Sequence, residues 1–274
     1  MDIMNINNNI LSGNENPIEI SMEQIISGKS ISPEILVSIE KAIDKHITDS
    51  NDDINDYTDL NIASRIDHTL LNSNAVSDDI KRLCDEALQY HFYSVCVNPV
   101  YVTLCKQSLE GTNIKICTVI GFPLGASTTA TKVFEAKEAE SFGADEIDMV
   151  INIGAIKERK LKYVMEEIAS VVNLALERVI IKVILENAYL TLEEKILGCL
   201  LSKYAGADFV KTSTGFGPSG ATVKDITLMR YIVGNKMGVK ASGGIRDRLV
   251  TSRMIKAGAN RIGTSSSVRI ITET

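Results

Sequence analysis

The chain has 274 residues, 45% of them hydrophobic, enough to bury one large core or two small ones. Its 29 basic and 35 acidic residues are interspersed and give a formal charge of −6, which excludes the basic stripe that non-specific nucleic-acid binding requires. Cys84, Cys96, Cys105, Cys117 and Cys199 show neither CxxC nor Cys/His spacing and read as reduced thiols, no window approaches a membrane span, and residues 1–6 lack a basic leader, so a cytoplasmic location is expected.

Residues 1–60 form an N-terminal extension that differs from the rest. Six of the first sixteen residues are asparagine, a composition that predicts little order. A helix is predicted from Ser32 to about Ile47, because Ser32-Pro33 supplies a cap and a first-turn proline and Ile35, Leu36, Ile39, Ala42 and Ile43 recur at helical spacing. Thr48 to Asp53 then reads as a polar linker. The extension is expected to cover the floor of the following domain, with a partner-docking or oligomer arm as the other reading.

Residues 61–274 alternate eight short apolar runs with amphipathic stretches, the runs lying near 62–67, 93–97, 115–120, 145–150, 179–185, 207–211, 237–241 and 260–263. The spacing suits a strand, a loop, a helix and a return loop, so the expected fold class is α/β, a (β/α)₈ TIM barrel with an N-terminal helical extension. An open doubly wound sheet is the alternative. Amphipathic helices are expected from Ser77 and across 157–176, and glycines 143, 206 and 258 mark helix ends before the next strand.

Strand parity places charges inside such a barrel, because alternate residues face the helices and the interior. Ile147, Met149 and Ile151 oppose Asp148 and Asn152; Ile181, Val183 and Leu185 oppose Lys182 and Glu186; Val239 and Ala241 oppose Lys240 and Ser242. Lys211 ends its own run, and Asp67 lies near the end of the first. Unpaired buried charges would be prohibitively costly, so these groups must pair near the wet C-terminal mouth. Lys182 is expected to bond Asp148 or Glu186.

A free lysine has a pKa near 10.4, so few such amines are nucleophiles at neutral pH. A second ammonium about 4–5 Å away, at an effective dielectric of about 20, disfavours the charged form by roughly 4 kcal/mol, or about three pH units. Lys240, from the strand next to Lys211, is the natural perturbing cation, and Asp148 is placed to carry protons. The runs Ser242-Gly243-Gly244-Ile245-Arg246 and Gly263-Thr264-Ser265-Ser266-Ser267 follow the last two strands, where barrels of this kind hold phosphate. His46, His68 and His91 are too scattered to argue for a metal, and no cofactor motif occurs.

The strings Ile66-Asp67-His68-Thr69-Leu70-Leu71, Val95-Cys96-Val97-Asn98-Pro99, Gly121-Phe122-Pro123-Leu124-Gly125, Glu146-Ile147-Asp148-Met149-Val150, Phe209-Val210-Lys211-Thr212-Ser213-Thr214-Gly215 and Val239-Lys240-Ala241-Ser242-Gly243-Gly244, in this order, strongly resemble the deoxyribose-phosphate aldolase family. The resemblance runs from about Asn61 to about Ser267. It implies a class I aldolase that reversibly cleaves 2-deoxy-D-ribose 5-phosphate to D-glyceraldehyde 3-phosphate and acetaldehyde without cofactor or metal. It further implies Lys211 as the Schiff-base lysine, Lys240 as its activating neighbour and Asp148 as the proton relay. Asp67, Lys182, Cys96 and Thr212 take supporting positions, and Gly215, Gly243, Gly244, Ser265 and Ser266 surround the substrate phosphate.

Three departures from the family pattern stand out. Phe216 occupies a position where some members carry a lysine. The last tyrosine is Tyr231, whereas some members end in a tail tyrosine that assists proton transfer. Little chain remains for an eighth helix, so closure of the barrel is expected to borrow from the N-terminal extension or a partner subunit, and a homodimer or higher homo-oligomer stays open. A ketose-phosphate aldolase or transaldolase relative, and a non-catalytic sugar-phosphate-binding protein, are the rival readings. The expected partner is a small sugar phosphate, with neither nucleic acid nor membrane.

Overall fold

The structure is a computed structural model that describes residues 3–6, 18–50, 61–174 and 179–273. Strands β1 (Ile3–Ile6) and β2 (Ile18–Ser21) make an antiparallel ribbon in register Ile3 with Ser21 and Ile6 with Ile18. This ribbon takes in residues 3–6 of the asparagine-rich start. The remainder of 1–16 lies outside the described residues.

Eight parallel strands close a barrel in the order β10-β3-β4-β5-β6-β7-β8-β9. They are β3 (Ile66–Leu70), β4 (Ser94–Val97), β5 (Lys115–Ile120), β6 (Glu146–Val150), β7 (Ile180–Ile184), β8 (Phe209–Lys211), β9 (Gly238–Ser242) and β10 (Arg261–Thr264). The closed sheet decides against the open doubly wound alternative. Closure comes from this chain alone, as β10 pairs with β3 at Ile262–Ile66 through Thr264–His68. Neither the extension nor a partner is needed for it, and that expectation is corrected. The first apolar run begins as a 3-10 turn over Ala63–Arg65, with Asn61 accepting from the Ser64 amide at 3.4 Å, so β3 starts later than residue 62.

The extension supplies α1 (Met22–Ile26) and α2 (Pro33–Ser50). Around the barrel run α3 (Ser77–Tyr90), α4 (Val102–Ser108), α5 (Thr129–Phe142), α6 (Ile153–Lys157), α7 (Leu161–Val172), α8 (Leu192–Tyr204), α9 (Val223–Val233), α10 (Arg248–Lys256) and α11 (Ser267–Thr272). The helical stretch expected across 157–176 is interrupted: α6 ends at Lys157, Arg159 takes φ 58°, and α7 starts at Leu161. Residues 175 and 176 lie outside the described set. Gly143, Gly206 and Gly258 have φ of 100°, 83° and 113°, the left-handed helix-ending conformation expected of them. The eighth helix, α11, has only six residues and packs between α10 and α3.

The extension lies along the outside of the barrel, not across its floor. On α2, Ile39 and Ile43 are buried where the helix meets α9, and Lys224 of α9 pairs with Glu40 and Asp44, each at 3.0 Å. Glu193 accepts from the Ile31 amide at 2.7 Å and pairs with Arg159 at 2.5 Å, fastening the arm beside α8. This apolar stripe seeks the nearest apolar helices, which are on the barrel wall. The predicted linker begins late, since α2 continues to Ser50, and residues 51–60 lie outside the described set.

Outward strand residues such as Ile147, Met149, Ile181, Val183, Val239 and Ile262 join one large core with the helices, as parity predicts. Inside the barrel, the β4–β5 side is filled by Cys96, Cys117 and Val119, with Leu71 above. Outside it, a fully buried pair clamps β6: Lys132 of α5 donates to the Val150 carbonyl at 2.9 Å and meets Glu167 of α7 at 2.6 Å. Lys132→Met is expected to cost about 3–5 kcal/mol in denaturant unfolding by stranding Glu167, and Glu167→Leu in the same chain should recover much of that loss.

Candidate active site

The barrel interior from β6 to β10, together with β3, carries charge where the other strands carry apolar groups. Asp148 sits at its centre. Its Oδ2 accepts from Lys211 at 2.8 Å and from Lys240 at 2.7 Å, and its Oδ1 accepts from Lys182 at 2.7 Å. Lys182 also meets Glu146 at 2.7 Å, and Lys240 meets Asp67 at 2.5 Å. Arg261 joins the two remaining carboxylates, donating through Nε to Asp67 at 2.8 Å and through NH1 and NH2 to Glu146 at 3.1 and 3.0 Å.

These contacts form a closed ring of alternating sign: Arg261, Asp67, Lys240, Asp148, Lys182, Glu146 and back to Arg261. Its three cations and three carboxylates balance. Lys211 is a seventh charge, attached to Asp148 and supplied by the last residue of β8. All seven side chains are at most 5% exposed. Burial on its own would raise the Asp148 carboxyl, but Lys182, Lys211 and Lys240 hold it well below the usual carboxylate range. Asp67 is likewise depressed, with Lys240 and Arg261 outweighing its burial. Burial opposes the charges on Lys182, Lys240 and Arg261, yet the facing carboxylates hold all three above their ordinary values.

Backbone choices allow this packing. A Cβ on Gly263 would lie 2.6 Å from the Ser242 hydroxyl and 3.0 Å from Lys240 Cε, so only glycine lets the Lys240 side chain pass β10. Thr212 ties β8 to β9: its hydroxyl donates to the Ser242 carbonyl and accepts from the Ser242 amide, both at 3.0 Å.

Above Lys211 opens a cavity of about 430 Å³ at the C-terminal ends of the strands. Gly215, Gly243, Gly244 and Ser265, the residues expected around a phosphate, are among those that line it. Gly243 and Gly244 take φ of 84° and 75°, a left-handed turn that other residues adopt only under strain. Ser266 is not among the lining residues; its amide instead donates to Thr264 Oγ1 at 3.0 Å at the start of α11. Cys96 is buried beside Cys117 beneath the cavity and does not line it. Phe216 stands at the cavity wall, edge-on to Phe122 with ring centroids 5.4 Å apart.

Glu186 does not partner Lys182. Its backbone turns left-handed at φ 56°, and the carboxylate accepts from the Thr214 amide at 3.1 Å and from the Thr214 hydroxyl. Glu146 takes its place. Glu146 and Arg261 were both missed, although parity marked them: Glu146 lies two residues before Asp148, and Arg261 two before Gly263. Arg246 and the loop Asn72–Asn74 also reach the cavity. Arg246 was visible in the glycine-rich run after β9, whereas nothing in the sequence distinguished the Asn72–Asn74 turn.

Among the described residues, Cys96, Cys117 and Asp148 bring three potential metal donors within 4.8 Å of one another. Their atoms are already engaged: Cys117 donates to Asp148 at 3.2 Å and accepts from Lys182 at 3.3 Å, beside three ammonium groups. Burial, Cys96 and Asp148 together push the Cys117 thiol well up, which keeps it a neutral donor. His68 lies on the outer face of β3 between Ser267 and Glu86, at 2.8 and 2.7 Å, and takes no part in the cluster.

The depressed carboxyls Asp148 and Asp67 contribute stability that is complete above their unfolded-state pKa of about 4 and is lost as pH falls towards the folded-state values. The raised Lys182 and Lys240 contribute stability that is complete below about 10.4 and is lost as pH rises through their folded-state values. Denaturant unfolding from pH 3 to 11 is therefore expected to give a plateau between those limits, and Asp148→Asn should lower the plateau and flatten its acid side.

Residues 62–268 match the family model described as DeoC/LacD family aldolase. The chain is 56% identical over 216 residues to a deoxyribose-phosphate aldolase of Thermoanaerobacter sp. (strain X514), covering 78% of this chain and 97% of that one. It is 59% identical over 213 residues to the deoxyribose-phosphate aldolase of Thermococcus kodakarensis, covering 77% and 95%. Among solved structures, the tetrameric deoxyribose phosphate aldolase of Aeropyrum pernix superposes with a TM-score of 0.72 at 34% identity, covering 88% of this chain and 97% of that one. The chain belongs to the DeoC/LacD family of aldolases.

Proposed function

We propose that this chain is a deoxyribose-phosphate aldolase that uses Lys211 as its Schiff-base nucleophile. The observation that carries the assignment is the charge count: Lys211 is the one cation added to an otherwise balanced ring, and it is the ring-bound amine that lines the cavity. With Lys211 neutral, as an amine that attacks a carbonyl must be, the remaining three cations and three carboxylates balance.

Lys211 attacks C1 of the open-chain sugar phosphate, and loss of water gives the protonated imine. The electron pair of the C2–C3 bond then moves into that imine as the C3 hydroxyl loses its proton, releasing glyceraldehyde 3-phosphate and leaving an enamine. Protonation at C2 and hydrolysis return acetaldehyde and the free amine. Asp148 Oδ2, shared by Lys211 and Lys240, is the station through which these protons pass, with Lys240 as the adjoining donor. Lys182 and Asp67 fix the orientation of that carboxylate and of Lys240, and Thr212 holds the two lysine-bearing strands in register. Cys96 is a packing residue.

The phosphate rests against the loops carrying Gly215, Gly243, Gly244 and Ser265, with Ser266 behind them and Arg246 supplying positive charge where Phe216 supplies none. The cavity volume suits a phosphorylated pentose. Residues 1–60 form an appendage to one catalytic domain, residues 61–274. Among the described residues no helix is long and apolar enough to cross a membrane, and we place the enzyme in the cytoplasm. The tetrameric relative from Aeropyrum pernix supports a homo-oligomer here too, so light scattering should give a mass above one chain; a monomer mass would contradict this.

Borohydride added with acetaldehyde should trap a covalent adduct on Lys211, identified by peptide mapping. Lys211→Met should lower kcat/KM for release of acetaldehyde from deoxyribose 5-phosphate by on the order of 10⁴-fold. An adduct on Lys240, or none, would overturn the assignment of roles.

A further inference from the structure

Two members of the ring have no step in the reaction. Arg261 opens β10 and Glu146 opens β6, at the ends of those strands away from the cavity, and neither lines it. Both are buried, and Arg261 is pinned further by the Tyr93 ring, with Cζ 3.5 Å from its centroid. Each is nevertheless linked to Asp148, Arg261 in three contacts through Asp67 and Lys240, and Glu146 in two through Lys182.

We infer that Arg261 and Glu146 are positioning residues that set, with opposite sign, the pH at which Lys211 becomes a nucleophile. The inference rests on Lys211 being the Schiff-base lysine. Asp148 is the only carboxylate bonded to Lys211 among the described residues, so the charge Lys211 experiences depends on how fully Asp148 is neutralised by Lys182 and Lys240. Those two lysines divide their charge between Asp148 and a second carboxylate, Glu146 or Asp67. Arg261 in turn neutralises both second carboxylates. Removing Arg261 draws Lys182 and Lys240 towards Glu146 and Asp67 and takes one positive charge from the cluster, so Lys211 keeps its proton to higher pH. Removing the charge of Glu146 does the reverse.

The titratable and charged groups facing this cluster are few. They are Asp67 on β3, Tyr93 just before β4 and stacked on Arg261, Cys96 on β4, Cys117 on β5, Glu146 and Asp148 on β6, Lys182 on β7, Lys240 on β9 and Arg261 on β10. Glu186, beyond β7, is engaged by Thr214, and Arg246 stands at the cavity wall. No other element packed against Lys211 brings a charge among the described residues, so a change at Arg261 or Glu146 has a defined sign.

The test compares Arg261→Gln, Glu146→Gln and Arg261→Lys with the parent. The readouts are the acid limb of kcat/KM on deoxyribose 5-phosphate and the pH dependence of acetaldehyde-dependent borohydride trapping. Arg261→Gln should move the limb up and Glu146→Gln should move it down, each by about one pH unit for a unit charge on the order of 10 Å away at an effective dielectric of about 20. Arg261→Lys should leave it in place. Should Arg261→Gln fail to fold, the downward shift in Glu146→Gln carries the test alone. Rates reduced at every pH with the limb unmoved, or shifts of the same sign, overturn the inference while the label stays on Lys211. A label on another residue overturns the reading of Lys211 itself, and this inference with it.

Discussion

A buried ring of three cations and three carboxylates, with one amine left over, is the constraint on which this barrel's interior depends. Such a ring is expensive to bury, because each ion loses its hydration and recovers it only if every partner is in place. Here the partners come from β3, β6, β7, β9 and β10, so none of these five strands can shift register without stranding a charge. The ring thereby specifies the barrel as much as the barrel positions the ring. The leftover amine, Lys211, is the member whose proton can leave without breaking the balance.

The rest of the architecture shields that arrangement. The outward faces of the same strands are apolar and lie in a continuous core with the helices. The β4–β5 side of the interior is packed with Cys96, Cys117 and Val119, which leaves the ring's charged groups to the other side. The glycine-rich turns after β8, β9 and β10 then make the wall above Lys211. A molecule in the cavity thus meets one amine, Arg246 and a set of backbone-rich loops, while the six charges of the ring remain below, occupied with one another.

Much of this was legible in the sequence because it follows from period-two alternation. Asp148, Lys182, Lys240 and Lys211 declare themselves as polar residues on the inner face of apolar runs, and eight such runs limited the fold to a few choices. What stayed hidden were pairings across strands. Parity offered Asp148 and Glu186 as partners for Lys182; Asp148 takes that place together with the unforeseen Glu146, while the left-handed backbone at Glu186 turns its carboxylate to Thr214. Arg261 sat at the start of a short run, where an arginine reads as a surface cap. The cavity contribution of Asn72–Asn74 depends on where a loop folds back, which no local pattern encodes. The extension was recognised as a helix, but its seat on α9, where Ile39 and Ile43 are buried and Lys224 meets Glu40 and Asp44 at the edge, joins distant parts of the chain.

The most direct test of the central claim is a side-chain NMR titration of the lysines in the resting enzyme, following each buried Nζ as pH rises. Lys211 should lose its proton first, with Lys182 and Lys240 still charged. Loss from Lys240 before Lys211, or loss from the two together, would contradict a balanced ring with Lys211 as its surplus charge.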